Sequence, residues 1–306
     1  MKIIKPTTLM LSSCSVSETD AVDGATWSST TTYSSGDKVR YNHVSYQSVV
    51  DSNVGNRPDQ NYTGDDPKWM IIGATMPYRM LDNYVETVTA GAAGGNLTFT
   101  VTFSRGDSIA LLNMTGVEVD ITVTDTSDST TILQTEYSLL ADIDSLSLYE
   151  YYFSPIVSKD TYVNTDLAIA INGSMSVTIK SGGGSVVPSI GHVIVGRRQT
   201  VGATKYGAEV GITDYSKKQV DDFGVTEFVK RSYAKNAALS LYTPAFRADT
   251  VASLLSEVRA TPILIQGSNV DTDYAALTVY GWIEDWRMVY QGPNEQEIRV
   301  EIQGLI

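Results

Sequence analysis

One cysteine, Cys14, is all the chain has, so no intramolecular disulfide forms and a disulfide-stapled secreted domain is excluded. Histidine is almost as scarce, with only His43 and His192. Neither has a metal-ligand partner at helical spacing, and no cysteine pair exists to complete a zinc site. Charged residues make up only 19% of the chain, and the acidic ones outnumber the basic to give a net charge of −13. That balance argues against nucleic acid, whose phosphates demand clustered Lys and Arg. Arg197-Arg198 and Lys217-Lys218 are isolated pairs and read as rim charges. No stretch approaches the ~18 apolar residues of a membrane span, and no basic amphipathic face suits a membrane surface. Leu11-Ser12-Ser13-Cys14 has the outline of a lipoprotein cleavage site, but Pro6, Thr7 and Thr8 leave too short an apolar run before it. Met1 to Asp20 is therefore expected as an N-terminal arm, extended or lying on a neighbouring subunit.

What is present in quantity is Ser, Thr and Gly, interleaved with Val, Ile and Tyr, a mixture that suits pleated sheet better than helical bundles. The 306 residues correspond to roughly two domains. Leu97, Phe99, Val101 and Phe103 alternate with threonines, and Val117, Val119, Ile121 and Val123 repeat the pattern. Leu167, Ile169 and Ile171 follow, then Met175, Val177 and Ile179. A strict period of two with one polar face predicts antiparallel strands half-exposed to water. Their regular spacing between turn clusters predicts a central antiparallel β-sandwich of the jelly-roll kind over residues 83–189. Residues 190–306 read as a β-rich domain with one helix near 245–259. Thr243-Pro244 or Asp249 would start that helix, and Ala248, Val251, Ala252, Leu255 and Val258 would form its apolar face. Before the sandwich, residues 21–82 form a small aromatic β unit, and Trp69-Met70-Ile71-Ile72-Gly73 is expected to close it as a buried strand. The fold class is thus mainly β.

Positive signs of catalysis are missing. No G-x-S-x-G elbow is present, and His43 and His192 sit where structural histidines are the better reading. Asp65-Asp66 and Asp221-Asp222 could serve glycoside hydrolysis, but neighbours on a strand point to opposite faces, so solvated loop charge is the better account. Asp51-Ser52-Asn53-Val54-Gly55 opens like a calcium loop, yet its glycine comes too early and no glutamate closes it. No metal and no cofactor are expected.

The aromatic unit is more specific. The order Trp27, Tyr33, Gly36-Asp37-Val39, Tyr46 and Trp69 resembles small chitin-binding-like carbohydrate modules, although its spacing is looser, with five residues between Trp27 and Tyr33. In such modules some aromatics build a mini-core and others stack on the apolar face of a pyranose. Trp27, Tyr33, Tyr46 and Trp69 are accordingly either sugar-stacking residues or the core of the unit.

A second resemblance spans nearly the whole chain. Trp69 to Thr75 followed by Tyr78-Arg79-Met80-Leu81-Asp82 resembles a junction in structural proteins of tailed bacteriophages, departing from it at Arg79 and Leu81, where Ala and Phe are common. Val210 to Lys218, then Asp222-Phe223-Gly224, and the ending Tyr280 to Trp286 with Ile298 to Leu305 are similar to β-rich ring domains of distal tail and baseplate hub proteins. The resemblance implies a virion tail component, assembled in the host bacterial cytoplasm. Its partners would be other tail proteins, tail fibres and further copies of itself in a ring, with Tyr215, Phe223, Trp282 and Trp286 as assembly residues. Heterologous contacts close such rings, and arms or edge strands supply them. The alternative is an adhesin that recognises host glycans through Trp27, Tyr33, Tyr46 and Trp69; a glycan-degrading enzyme built on the sandwich is the third reading.

Overall fold

A computed structural model describes residues 1–7, 9, 14–19, 21–139, 148–153, 158–220, 224, 226–268 and 275–305. The fold is mainly β, as the alternation predicts. A five-stranded antiparallel sheet runs in the order Thr130–Ser138, Glu118–Asp125, Ala170–Lys180, Asn96–Gly106, Cys14–Val16. Its period of two turns Leu97, Phe99 and Val101, Val119 and Ile121, and Met175, Val177 and Ile179 to one buried face. Ile109, Leu111, Val193 and Val195 from the opposing strands Ser108–Leu112 and His192–Thr200 complete that core. The two layers make an antiparallel β-sandwich. Gly173 is required in it, because a Cβ there would lie 2.2 Å from the Phe103 ring.

One stretch departs from its expected pattern. Leu167 and Ile169 precede the strand, which begins at Ala170, and Ile169 and Ile171 face solvent. Arg105, opposite, has a left-handed backbone (φ 51°), and the Ile171 N–H donates to Asp125 Oδ2 at 3.1 Å. That side-chain acceptor replaces a ladder bond, and the inward phase is taken by Ala170 and Gly173 instead.

The second layer of the sandwich belongs to a longer sheet. Its order is Tyr162–Asn164, Ser108–Leu112, His192–Thr200, Lys2–Pro6, Ile263–Gln266, Thr278–Val289, Glu295–Gly304, Tyr233–Pro244, Ala203–Thr204. Residues of the 83–189 and 190–306 regions therefore pair directly, with Val195 opposite Ile109. The start of the expected arm is also part of this sheet. Lys2–Pro6 lies between residues 196–200 on one side and 264–266 on the other. Met1 and Ile3 enter the core beneath the helix, whereas Ile4 packs on the opposite face with Ala110, Ile194 and Leu264. A strand buried on both faces shows no alternation, which is why the isolated Ile3-Ile4 pair reads as an arm. The neighbouring strand approaches so closely that a Cβ at Gly196 would sit 2.2 Å from the Lys5 carbonyl oxygen.

The helix forms where expected, as Ala248–Glu257 after a 3-10 turn at Ala245–Arg247. Ala248, Val251, Leu255 and Val258 are buried, and all but Ala248 join Ile263, Ile265, Val279 and Val300 in one core. Neither Thr243 nor Asp249 caps it; Thr243 Oγ1 instead donates to the Val201 carbonyl at 2.7 Å.

The aromatic unit is a four-stranded sheet, Ala25–Thr26, Lys38–Tyr41, Val44–Ser48 and Trp69–Ala74. Trp69–Ala74 is its edge, pairing only with Val44–Ser48 among the described residues. Trp69 alone is buried there, and Met70, Ile71 and Ile72 are 44–50% exposed. This corrects the expected buried strand: a run of apolar residues looks doubly covered, but here only Trp69 at its start finds a core. A 3-10 turn at Met76–Leu81 ties the unit to the sandwich, with Met80 fully buried in the large core. Asp23 accepts hydrogen bonds from Met76 N at 2.6 Å and from Arg79 at 3.3 Å across that joint.

Candidate functional site

Two surfaces carry the residues singled out from the sequence. In the aromatic module, Tyr33, Tyr46 and Trp69 are buried together with Val39. The Tyr33 and Trp69 rings meet edge to face at 5.3 Å, Trp69 Nε1 donates to the Asn56 carbonyl at 2.8 Å, and the Tyr33 hydroxyl accepts from Ser28 N at 2.8 Å. Burial raises the Tyr46 phenol above its ordinary range, with Asp59 adding to the effect. None of these three offers a ring face to a sugar. They are the mini-core that so short a segment needs. Trp27 is half-buried, edge-on to Tyr41 at 5.6 Å, and its Nε1 is buried with no hydrogen-bond partner among the described residues. Three of the four proposed stacking residues are therefore brought together as a core, and Trp27 packs half-buried at its edge.

The second surface is a β-ribbon. Glu209–Asp214 pairs with residues 233–238, with Glu209 opposite Ala238 and Asp214 opposite Tyr233. Past a corner, the same two segments pair again as Lys217–Val220 and Thr226–Val229. The corner is built from short polar side chains. Asp214 Oδ1 accepts from Ser216 N at 2.8 Å, and Ser216 Oγ accepts from Arg231 N at 3.0 Å. The Ser216 hydroxyl and amide hold the Asp214 carboxyl below its ordinary value.

Every residue of the two outer strands is exposed. Cross-strand partners share a face, as do residues two apart, so Lys218, Val220, Thr226 and Phe228 form one side of the outer hairpin. Phe228 is 74% exposed and Val220 60%; on the inner half, Val210 and Ile212 are exposed as well. Tyr215 stands at the corner, 43% exposed, and Phe223 lies outside the described residues. Trp282 and Trp286 are on a different strand, opposite Gln303 and Val300, and both are half-buried. Trp286 packs against the core beneath the helix. Tyr215 thus lies outside the Thr278–Val289 strand that carries the two tryptophans.

Phe228 and Val220 were not legible as site residues. Their alternation reads like that of any half-buried strand, and only the lack of a covering layer distinguishes them. Met70, Ile71 and Ile72 escaped for the opposite reason, as described above.

The titratable groups have structural surroundings. The His43 ring packs on Tyr78 at 4.0 Å, and His192 on Tyr280 at 4.8 Å. Burial lowers the His192 pKa to about 4, so its imidazole is neutral at pH 7. Glu118, Asp120 and Glu136 cluster on adjacent strands, with Lys180 Nζ 2.8 Å from Asp120 and 3.6 Å from Glu118. The bond to Asp120 raises the Lys180 pKa, and its ammonium balances the carboxylates. Among the described residues, no helix is long and apolar enough to cross a membrane. No protein family matches the sequence, and no curated protein matches it.

Proposed function

We propose that this chain is a structural subunit of a bacteriophage tail, a ring, hub or fibre-attachment protein that acts without catalysis. It would be assembled in the host cytoplasm and carried in the virion, contacting further copies of itself, other tail proteins and fibres. The observation that carries this reading is the pair of outer strands Lys217–Val220 and Thr226–Val229, fully exposed, with Val220 60% and Phe228 74% exposed. An isolated two-stranded hairpin is marginally stable in water, and exposed apolar side chains on a β surface favour pairing or covering by another chain. A neighbour that covers the ribbon relieves both problems, and identical neighbours repeating one heterologous contact close a ring. The likeness of residues 210–218, 222–224, 280–286 and 298–305 to tail ring domains supports the virion setting.

The test is assembly. Sedimentation and single-particle imaging of the purified protein are expected to find a closed homo-oligomer. Val220→Ser combined with Phe228→Ser is expected to leave a folded monomer. A wild-type chain that stays monomeric at high concentration, and is missing from purified virions, sinks the reading.

A further inference from the structure

A trough lies on the face of the long sheet that carries Ile4 and Leu264, with a volume of about 900 Å3. That is the upper end of the roughly 300–1,000 Å3 usual for ligand sites. Its lining comes from opposite ends of the strand order, Tyr162 and Asn164 from the first strand and Tyr233 and Lys235 from the penultimate one, so the sheet curls around the space. Leu112, Leu264, Leu305 and the mostly buried Tyr280 supply apolar lining. Val85 and Glu86 stand at one end, held by Asn113 Nδ2 to the Val85 carbonyl at 2.8 Å and by a bond from the Ser232 hydroxyl to Glu86.

The polar lining is chemically mixed. Tyr137 and Tyr162 meet edge to face at 4.9 Å, with the Lys159 ammonium 5.8 Å from the Tyr137 ring centre. Tyr233 is 51% exposed. Two ammonium groups, Lys159 and Lys235, are matched by two carboxylates, Asp160 and Glu86. Donors and acceptors of both kinds thus surround aromatic rings with no excess of either charge. A strongly charged ligand finds no net attraction in such a site. A neutral molecule with apolar C–H faces and a fringe of hydroxyls matches both features, since rings stack on the faces and the mixed polar groups take the hydroxyls.

We infer that this trough binds a neutral oligosaccharide, with Tyr162 and Tyr233 as stacking residues, at a site separate from the Trp27–Trp69 module. The inference does not depend on the tail reading. The experiment is saturation-transfer NMR and calorimetry on the intact chain with neutral hexose and N-acetylhexosamine oligomers, alongside sialylated and uronate-containing ones. Saturable binding of a neutral oligomer is expected, weakened at least tenfold by Tyr162→Ala and by Tyr233→Ala and unchanged by Trp27→Ala. Tyr233→Phe, which keeps the ring, is expected to retain most of the affinity. Because Tyr233 is half exposed, its alanine variant is expected to fold normally, which the amide spectrum checks. No binding of any neutral oligomer at millimolar concentration, binding of acidic sugars only, or binding lost through Trp27→Ala and indifferent to the tyrosines would each overturn it.

Discussion

The module of residues 25–74 and the ribbon of residues 209–238 are both thin pieces of β structure carrying aromatic and aliphatic side chains, yet they dispose of that surface in opposite ways. The module folds its four strands around Tyr33, Val39, Tyr46 and Trp69, so its apolar groups face one another. Among the described residues the ribbon has two strands in its outer half, and a two-stranded sheet has no second layer against which to turn Val220 or Phe228. Four strands and a tryptophan are enough for a small self-contained core; two strands are not. Aromatic content by itself therefore says little about recognition. Whether a layer exists to cover the rings decides whether they stabilise their own unit or wait for another.

The hardest blow to this contrast comes from Trp69→Ala. Removing the largest buried side chain of the module should cost it about 3–5 kcal/mol. Hydrogen exchange is expected to show residues 25–74 opening while the sandwich stays protected; equal loss of protection in both would mean that the module is not a unit of its own. Acid should separate the same two parts from the other side. His192 lies in the large body with its pKa lowered from 6.5 to about 4. Between those values the unfolded chain binds a proton that the folded chain refuses, so stability falls as pH drops through that window and levels off below about pH 4. The loss should approach about 3 kcal/mol, read as an earlier denaturation of the sandwich than of the module; a flat profile from pH 7 to 4 would refute it. Trp27→Ala should cost the module less, about 2 kcal/mol, from the edge-on pair with Tyr41 and the apolar area of a half-buried ring, measurable as a smaller shift in the module's local opening. Smallest of all, Val220→Ser with Phe228→Ser should change the stability of the monomer by no more than about 0.5 kcal/mol, even though it is expected to abolish assembly. A large destabilisation there would show that the ribbon carries a hidden part of the core.

The sandwich strands were legible because each buries one face, and the alternation at 97–103, 119–123 and 175–179 states that directly. The helix was legible for the same reason at a different period. Positions where burial does not follow a simple rhythm were not. Ile3 and Ile4 are covered on opposite faces, Met70 to Ile72 lie along an edge, and Ile171 gives its ladder bond to an aspartate. For the site residues, the sequence narrowed the module's aromatics to core or platform, and burial places three of the four in the core. The trough could not be read at all. Tyr162, Tyr233 and Tyr280 come from three strands of the long sheet, whose curl brings them together, and Tyr137 reaches the same space from the five-stranded sheet.

The position of the Lys2–Pro6 strand bears on how the chain is made. Its two partners, residues 196–200 and 264–266, leave the ribosome long after it does. Until then Ile3 and Ile4 have no native neighbours, and the seam between the two halves of the sheet stays open. Contacts so distant along the chain are slow to form, and an exposed strand awaiting its partners is a target for mispairing. The last step of folding is therefore expected to be the closing of this seam, with the Lys2–Pro6 strand acting as the piece that locks the long sheet.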